Sequence, residues 1–360
     1  MTTCLPSDTA FHALVDGVAR RKALAEKQAR SLPRTARQAF LYDATFQNEI
    51  EAVAYPLALA IGRVPNFATP TTYCEKMRSL YLIHPNPLMS LVADKVEMHR
   101  YCDLMDAPIR PPKLYAAFDD PSELDLSDLP QTAMLKISDG CKMNILHGPG
   151  MPVTPFALRR FLNRYWHVDH WRRHAELHYR DIPRRLLVEE ALLPIESLTE
   201  TCVFCAFGTP YMSLNKTGYS ADVHAGRNGG YIALEERLKP LERYADFVTP
   251  PYEVAWPERH RAAMLETARR LSAPLPNCRI DFMFIDNRCY LGEITISSAA
   301  FTKPYDSLDQ EILLGSLYDL TRLPDFLEKG RAIAHSLGWP VDTSFGHIAP
   351  DDPRLLTGGQ

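Results

Sequence analysis

The sequence predicts an α+β protein, and three observations carry that assignment. Apolar residues recur at three-and-four spacing through roughly the first 60 positions, the pattern of helices. Strand-like runs such as "TAMLKI" and "RLLVEE" then alternate with helical blocks, and strands dominate from 200 to 300. The chain has 360 residues, long for one core, so two or three packed subdomains are expected.

Each element follows from local pattern. "DGVARRKALAEKQARSL" and "FQNEIEAVAYPLALAIG" read as helices, with breaks or kinks expected at Pro33 and Pro56. The turn-rich stretch after Ile61 should hold short helices starting after Thr71 and Pro87. A helix from Asp94, "DKVEMHRYCDLMD", leads to the strand "KLYAAF", an acidic loop, and the strand "TAMLKI" closed by "SDGCKMN". The block "TPFALRRFLNRYWHVDHWRRHAEL" reads as one long helix, followed by the strand "RRLLVEEALL" and a linker. Beyond it come the strands "TCVFCAF" and "PYMSLN" and a polar loop, "HAGRNGG", at 224–230. A helix, "PERHRAAMLETARRLSA", precedes the strand hairpin "RIDFMFIDNRCYLGEITISS". The last helix expected is "DQEILLGSLYDL", before a loose tail.

Composition excludes several classes. A net charge of −4 leaves no basic footprint for nucleic acid. No apolar run approaches the roughly 18 residues of a membrane span, and no secretion signal opens the chain, so a cytoplasmic protein is expected. Cys202 and Cys205 form a C-x-x-C on a strand, where residues three apart face opposite ways and cannot share a metal. His167, His170 and His174 fall at helical spacing and read as part of a surface helix before a metal face. Trp166 and Trp171 read as packing residues.

The chemistry sits on strands. Lys136 lies inside the apolar "TAMLKI", where an ammonium needs a partner, and a phosphate is the partner expected. Glu189 and Glu190 end another strand, and Arg279, Asp281 and Glu293 occupy the hairpin. A cation in one strand, an acid ending a second and two acids on a hairpin suit a magnesium–nucleotide site. Mg²⁺ takes one or two carboxylates plus phosphate oxygens, and an arginine beside them can stabilise an anionic transition state.

The order "DKVEMHRY", "MLKISDG", "ELHYRDIPRRLLVEEAL", "CRIDFMFIDNRCYLGEIT" resembles the ATP-grasp superfamily, and most closely its TupA-like branch, over about residues 62 to 320. The resemblance implies two α/β lobes clasping ATP behind an N-terminal helical region. Its divisions would be an N-terminal extension over 1–61, a lead-in subdomain over 62–130, ATP-grasp lobes over 131–325 and a C-terminal helix and tail over 326–360. The central lobe would cover about 131–190 and the C-terminal lobe about 191–325.

Carried over by position, the resemblance makes Lys95 and Lys136 the nucleotide-site lysines. "SDGCKMN", with Ser138 and Gly140, would be the loop over the phosphates. Glu189, Glu190, Ala191 and Leu192 would form the hinge that meets adenine and ribose. Asp281, Glu293 and Thr295 would hold Mg²⁺, Arg279 would steady the reacting carboxylate, and Arg227 would meet an acidic substrate. Two departures stand out: Asp139 and Lys142 occupy a loop usually rich in glycine, and Cys202 stands where the family has a lysine or arginine. The implied activity is ATP-dependent joining of a small-molecule or glycan carboxylate to an amine, such as an amino acid. A glycosyltransferase and a non-catalytic nucleotide-binding relative are the alternatives; the chain has no D-x-D motif for the former.

Overall fold

The computed structural model describes residues 6–217, 227–235, 237–238, 258–305 and 307–356. It is a mixed helix and sheet structure with two antiparallel sheets behind an N-terminal helical region. Helices α1 (Pro6–Ala29), α2 (Arg34–Thr45) and α3 (Glu49–Ile61) come first. Pro33 separates α1 from α2, whereas Pro56 lies within α3 and does not break it. Both ends of α3 are capped, by the Asn48 side chain and by left-handed Gly62, and Val53, Ala54 and Leu57 are fully buried. That packing outweighs the hydrogen bond a proline forfeits, roughly 3 kcal/mol.

Helix α4 (Tyr73–Ile83) starts at a reciprocal Thr72–Glu75 capping box, and α5 (Pro87–Ala93) at Asn86 with proline in its first turn. Helix α6 (Glu97–Leu104) begins three residues later than expected. The Asp94 side chain instead accepts from the Val96 N–H and pairs with Arg185.

The first sheet holds β1 (Leu114–Phe118), β2 (Ala133–Ile137), β3 (Asn144–His147) and β4 (Leu186–Glu189), in the order β1-β4-β2-β3. Helix α7 (Pro155–Tyr165) covers it, packing Leu158 and Phe161 on Leu135, Ile137, Leu186 and Val188. The long helix expected over 154–177 therefore stops at Tyr165, and only short 3₁₀ turns follow, at His170–Arg173 and Leu177–Asp181. Gln38 of α2 explains the break: it accepts from the Asp169 N–H and donates to the Asp169 carbonyl. Tertiary docking takes the peptide groups a helix would have used.

The second sheet holds β5 (Thr199–Ala206), β6 (Thr209–Thr217), β7 (Arg227–Ala233), β8 (Asn277–Ile285) and β9 (Arg288–Thr295), in the order β7-β6-β5-β8-β9. Strand β7 replaces the second half of the loop expected at 224–230; residues 224–226 lie outside the described part. Helix α8 (Glu258–Ser272) covers one face through Met264, Ala268 and Leu271. Helix α9 (Leu308–Gly315) is followed by α10 (Leu323–Ser336), which starts three residues before the C-terminal helix and tail expected over 326–360. Gly330 of α10 lets that helix close on α5, since a Cβ there would lie 2.1 Å from Asn86 Oδ1. One continuous core joins α3, α4, α5, α8, α10 and the second sheet, and a smaller core lies between α7 and the first sheet.

Candidate active site

The face of the second sheet opposite α8 carries the polar residues. Strands β8 and β9 meet at Asp286 and Asn287, with φ of 46° and 65°, a two-residue turn whose positive angles these residues tolerate. From the turn the pairing is regular to Phe282↔Leu291, then shifts by one, so that Asp281 faces Glu293 and Arg279 faces Thr295. Gly292 is the extra residue. Strict alternation would have set Glu293 opposite Ile280, on the core face. The bulge turns it onto the face of Asp281.

Arg279 is the hub of that face. Its Nε donates to Asp281 Oδ1 at 2.7 Å and its Nη2 to Asp281 Oδ2, a two-pronged grip. Nη2 also reaches Thr295 Oγ1 at 3.2 Å and Glu293 Oε1 at 3.3 Å, and Nη1 donates to Ser298 Oγ at 3.0 Å. Thr295 Oγ1 in turn donates to Glu293 Oε1 at 3.0 Å. Burial opposes ionisation of Glu293, but Arg279, Lys95 and Lys216 outweigh it and hold the carboxyl at about 2. Asp281, fully inside, is pushed up by burial and by Glu200 against the pull of Arg279.

A second row lies beside it on β5 and β6. The register places Cys202 opposite Asp281, and Glu200 opposite Lys216. Lys216 Nζ pairs with Glu200 Oε1 at 2.5 Å, and Cys202 Sγ donates to the same oxygen at 2.8 Å. Glu200, Cys202 and Asp281 form the one cluster among the described residues whose donor atoms could converge on an ion. Lys216 and Arg279 already neutralise it. Cys205 points the other way, toward the Ala268 carbonyl of α8, so the two cysteines do not share a face. Cys202 stands where a basic residue was expected, and Lys216 supplies a cation from the neighbouring strand. The sequence reading missed Lys216, because what marks it is the register that sets it opposite Glu200.

The remaining candidates gather on the first sheet. Lys136 does not await a phosphate alone: its ammonium is ion-paired with Glu189 across β2 and β4. Lys95 Nζ donates to the Ser138 carbonyl at 3.2 Å and the Gly140 carbonyl at 2.5 Å, tying down the "SDGCKMN" loop. Asp139 in that loop is buried in the fork of Arg184, with contacts of 2.6 to 3.1 Å. A Cβ on Gly140 would fall 2.3 Å from the Met143 sulfur, so a larger residue there would have to displace that side chain. Because Lys95 also helps to hold Glu293 ionised, the loop anchor and the β9 carboxylate belong to one electrostatic neighbourhood.

Glu190 donates its N–H to the Lys113 carbonyl at 2.8 Å, and its carboxylate accepts from the Lys113 N–H at 3.3 Å. Ala191 and Leu192 follow as irregular chain between the two sheets. Arg227 begins β7 opposite Thr217, and its side chain lies outside the described residues. The three histidines do not share a helix face, because the helix has ended; His170 pairs with Glu176 at 3.4 Å.

No family model and no curated protein matches the chain. Among solved structures it is similar to a D-alanine–D-alanine ligase from Helicobacter pylori, at 13% identity and a TM-score of 0.34 over 67% of this chain and 57% of that one. The same enzyme from Bacillus anthracis, complexed with ATP, shares 14% identity over 70% of this chain and 71% of that one, with a TM-score of 0.34. An L-amino acid ligase from Bacillus licheniformis shares 12% over 75% and 56%, with a TM-score of 0.37. At scores this low a superposition assigns no residue roles.

Proposed function

We propose that this chain is an ATP-grasp enzyme that joins a carboxylate to an amine at the expense of ATP. The observation that carries the reading is the bulge at Gly292, which sets Glu293 beside Asp281 and Arg279 on one face. Strands that serve only packing have no reason to reset their register for a carboxylate. The order of motifs supports the TupA-like branch, and with it a cytoplasmic role in cell-surface polysaccharide or secondary-metabolite synthesis.

Asp281, Glu293 and Thr295 offer an oxygen-only donor set, which fits a hard divalent cation. Bound there, Mg²⁺ would neutralise phosphate oxygens of ATP. Lys95 holds the "SDGCKMN" loop in place by its carbonyls, and Lys136, Ser138 and Gly140 would meet the phosphates, as the resemblance implies. Glu189 to Leu192 would meet the adenosine, and Arg227 an acidic substrate group.

In the first step a substrate carboxylate oxygen attacks the γ-phosphorus, and ADP leaves with the bonding pair. In the second, the amine attacks the acyl carbon, phosphate departs, and the amine's proton is lost to solvent or phosphate. Arg279 is a fixed cation that can meet the developing oxyanion. No covalent nucleophile is needed, because positioning and charge supply the catalysis.

The reading is tested by thermal unfolding with a nucleotide panel. Mg·ATP is expected to raise the midpoint, and UDP-sugars are not. Asp281→Asn and Glu293→Gln should each keep the fold and lose the Mg·ATP response. Stabilisation by a UDP-sugar alone would overturn the ligase reading in favour of glycosyl transfer.

A further inference from the structure

A cavity of about 630 Å³ lies apart from the site just described, between the N-terminal helices and the segment after α7. None of Lys95, Lys136, Asp281 or Glu293 lines it. Its size is that of a small-molecule pocket. One wall is apolar and aromatic, with Leu41, Phe46, Tyr55 and Leu59 from α2, the α2–α3 turn and α3. The other is basic.

Three cations, Lys22, Arg172 and Arg173, line the cavity against one acid, Glu26. Arg172 is spoken for by Asp43 at 3.0 Å and Asp169 at 2.9 Å. Lys22 and Arg173 are exposed and have no carboxylate partner among the described residues. Tyr42, also in the lining, has a buried hydroxyl with no hydrogen-bond partner among the described residues. Burial, foremost, and Glu49 keep that phenol protonated, so it is a donor.

The cavity is also built to hold its shape. Arg78 is fully buried and spends its guanidinium on three carbonyls, one from each part of the surround. Nε donates to Val53 of α3 at 2.7 Å, Nη2 to His174 at 2.8 Å, and Nη1 to Ala300 at 2.7 Å. Ala300 belongs to the segment leaving β9, where Ala299, Ala300 and Phe301 have φ of 49°, 53° and 49°. Thr302, next in that segment, lines the cavity. A buried cation that bolts α3, the 172–175 segment and the β9 exit together makes the space preformed.

We propose that this cavity is a second ligand site, which takes an amphipathic organic carboxylate with an aryl or branched alkyl body. The body packs on Phe46, Tyr55 and Leu59, and the carboxylate is met by Arg173 and Lys22. The site stands whether or not the second sheet binds ATP. It gives the first 61 residues a task beyond packing.

The test is calorimetric titration of the full chain with 4-phenylbutyrate and indole-3-propionate, each beside its neutral amide. Both acids should bind one per chain, and the amides at least tenfold more weakly. Ala60→Trp, at an exposed lining position, should abolish binding with the unfolding midpoint kept. Arg173→Gln should weaken the acids tenfold and leave the amides unchanged. Failure of both acids to bind at millimolar concentration, equal binding of acid and amide, or binding retained in Ala60→Trp would each overturn the proposal.

Discussion

Lys136 shows how a single side chain can carry two roles. Its ammonium keeps some access to water, with 18% of the side chain exposed, while its partner Glu189 keeps 8%. Replacing Lys136 by Met leaves a carboxylate in the first sheet without its counter-ion. We expect a loss of about 2–3 kcal/mol, below the value for a wholly buried pair because water can still reach the site. The double variant Lys136→Met/Glu189→Leu should recover most of it, since the unpaired charge is then gone. Urea denaturation of the three proteins checks this, and a neutral single variant would sink the ion-pair account. The sequence showed that this lysine needed a partner, but not which one. Glu189 ends a strand 53 residues on, and only the β2–β4 pairing brings the two together. Lys216 was harder to see: its importance comes from Glu200 and Asp281 on neighbouring strands, a coincidence of register that no local window contains.

At the scale of the element, the β8–β9 hairpin depends on one glycine. A Cβ at Gly292 would sit 2.9 Å from Met283 Cε and 3.3 Å from the Asp281 carbonyl oxygen. The methionine can yield; the carbonyl cannot. Gly292→Ala should cost under about 1 kcal/mol, and Gly292→Val about 1–3 kcal/mol with the site disturbed, as added branches meet the ladder. Deleting Gly292 outright should be milder than Gly292→Val. The deletion makes the ladder regular and leaves Glu293 opposite Asp281, because Leu291 already pairs with Phe282. Unfolding midpoints with and without Mg·ATP decide it; a deletion that loses the nucleotide response while Gly292→Val keeps it would refute the register argument. The hairpin itself was legible, since alternation and the "DNR" turn are local. Strands β3 and β7 were not: β3 has four residues, and β7 opens on the polar, glycine-rich "RNGG". The chain after Tyr165 kept a helical pattern that Gln38 of α2 overrides at Asp169. For that last miss the deciding contact lay far away in sequence, while β3 and β7 pair with the strands just before them.

Across the whole molecule, two histidines are folded into the shared core as neutral groups. Burial drives His178 down to about 3 and His84 to about 4. His178 stacks on Tyr81 with centroids 5.5 Å apart, and neither of its ring nitrogens has a partner among the described residues. An unfolded chain protonates both near pH 6.5. Between about pH 6.5 and 4 the unfolded state thus binds protons that the native state refuses, and stability must fall as pH falls. Each histidine contributes stability that is present in full above the unfolded value and lost on acidification, with a slope of up to about 1.4 kcal/mol per pH unit between its two values. Asp281 works in the opposite sense, because its raised native pKa lets the folded state take up a proton first. Comparing variants separates the two. Urea midpoints of the wild type should hold to about pH 6.5 and then drop toward pH 5, and His178→Leu should remove about half of the histidine slope while Asp281→Asn steepens it. A His178→Leu protein as acid-sensitive as the wild type would show that this imidazole is already charged, or already wet, in the native core.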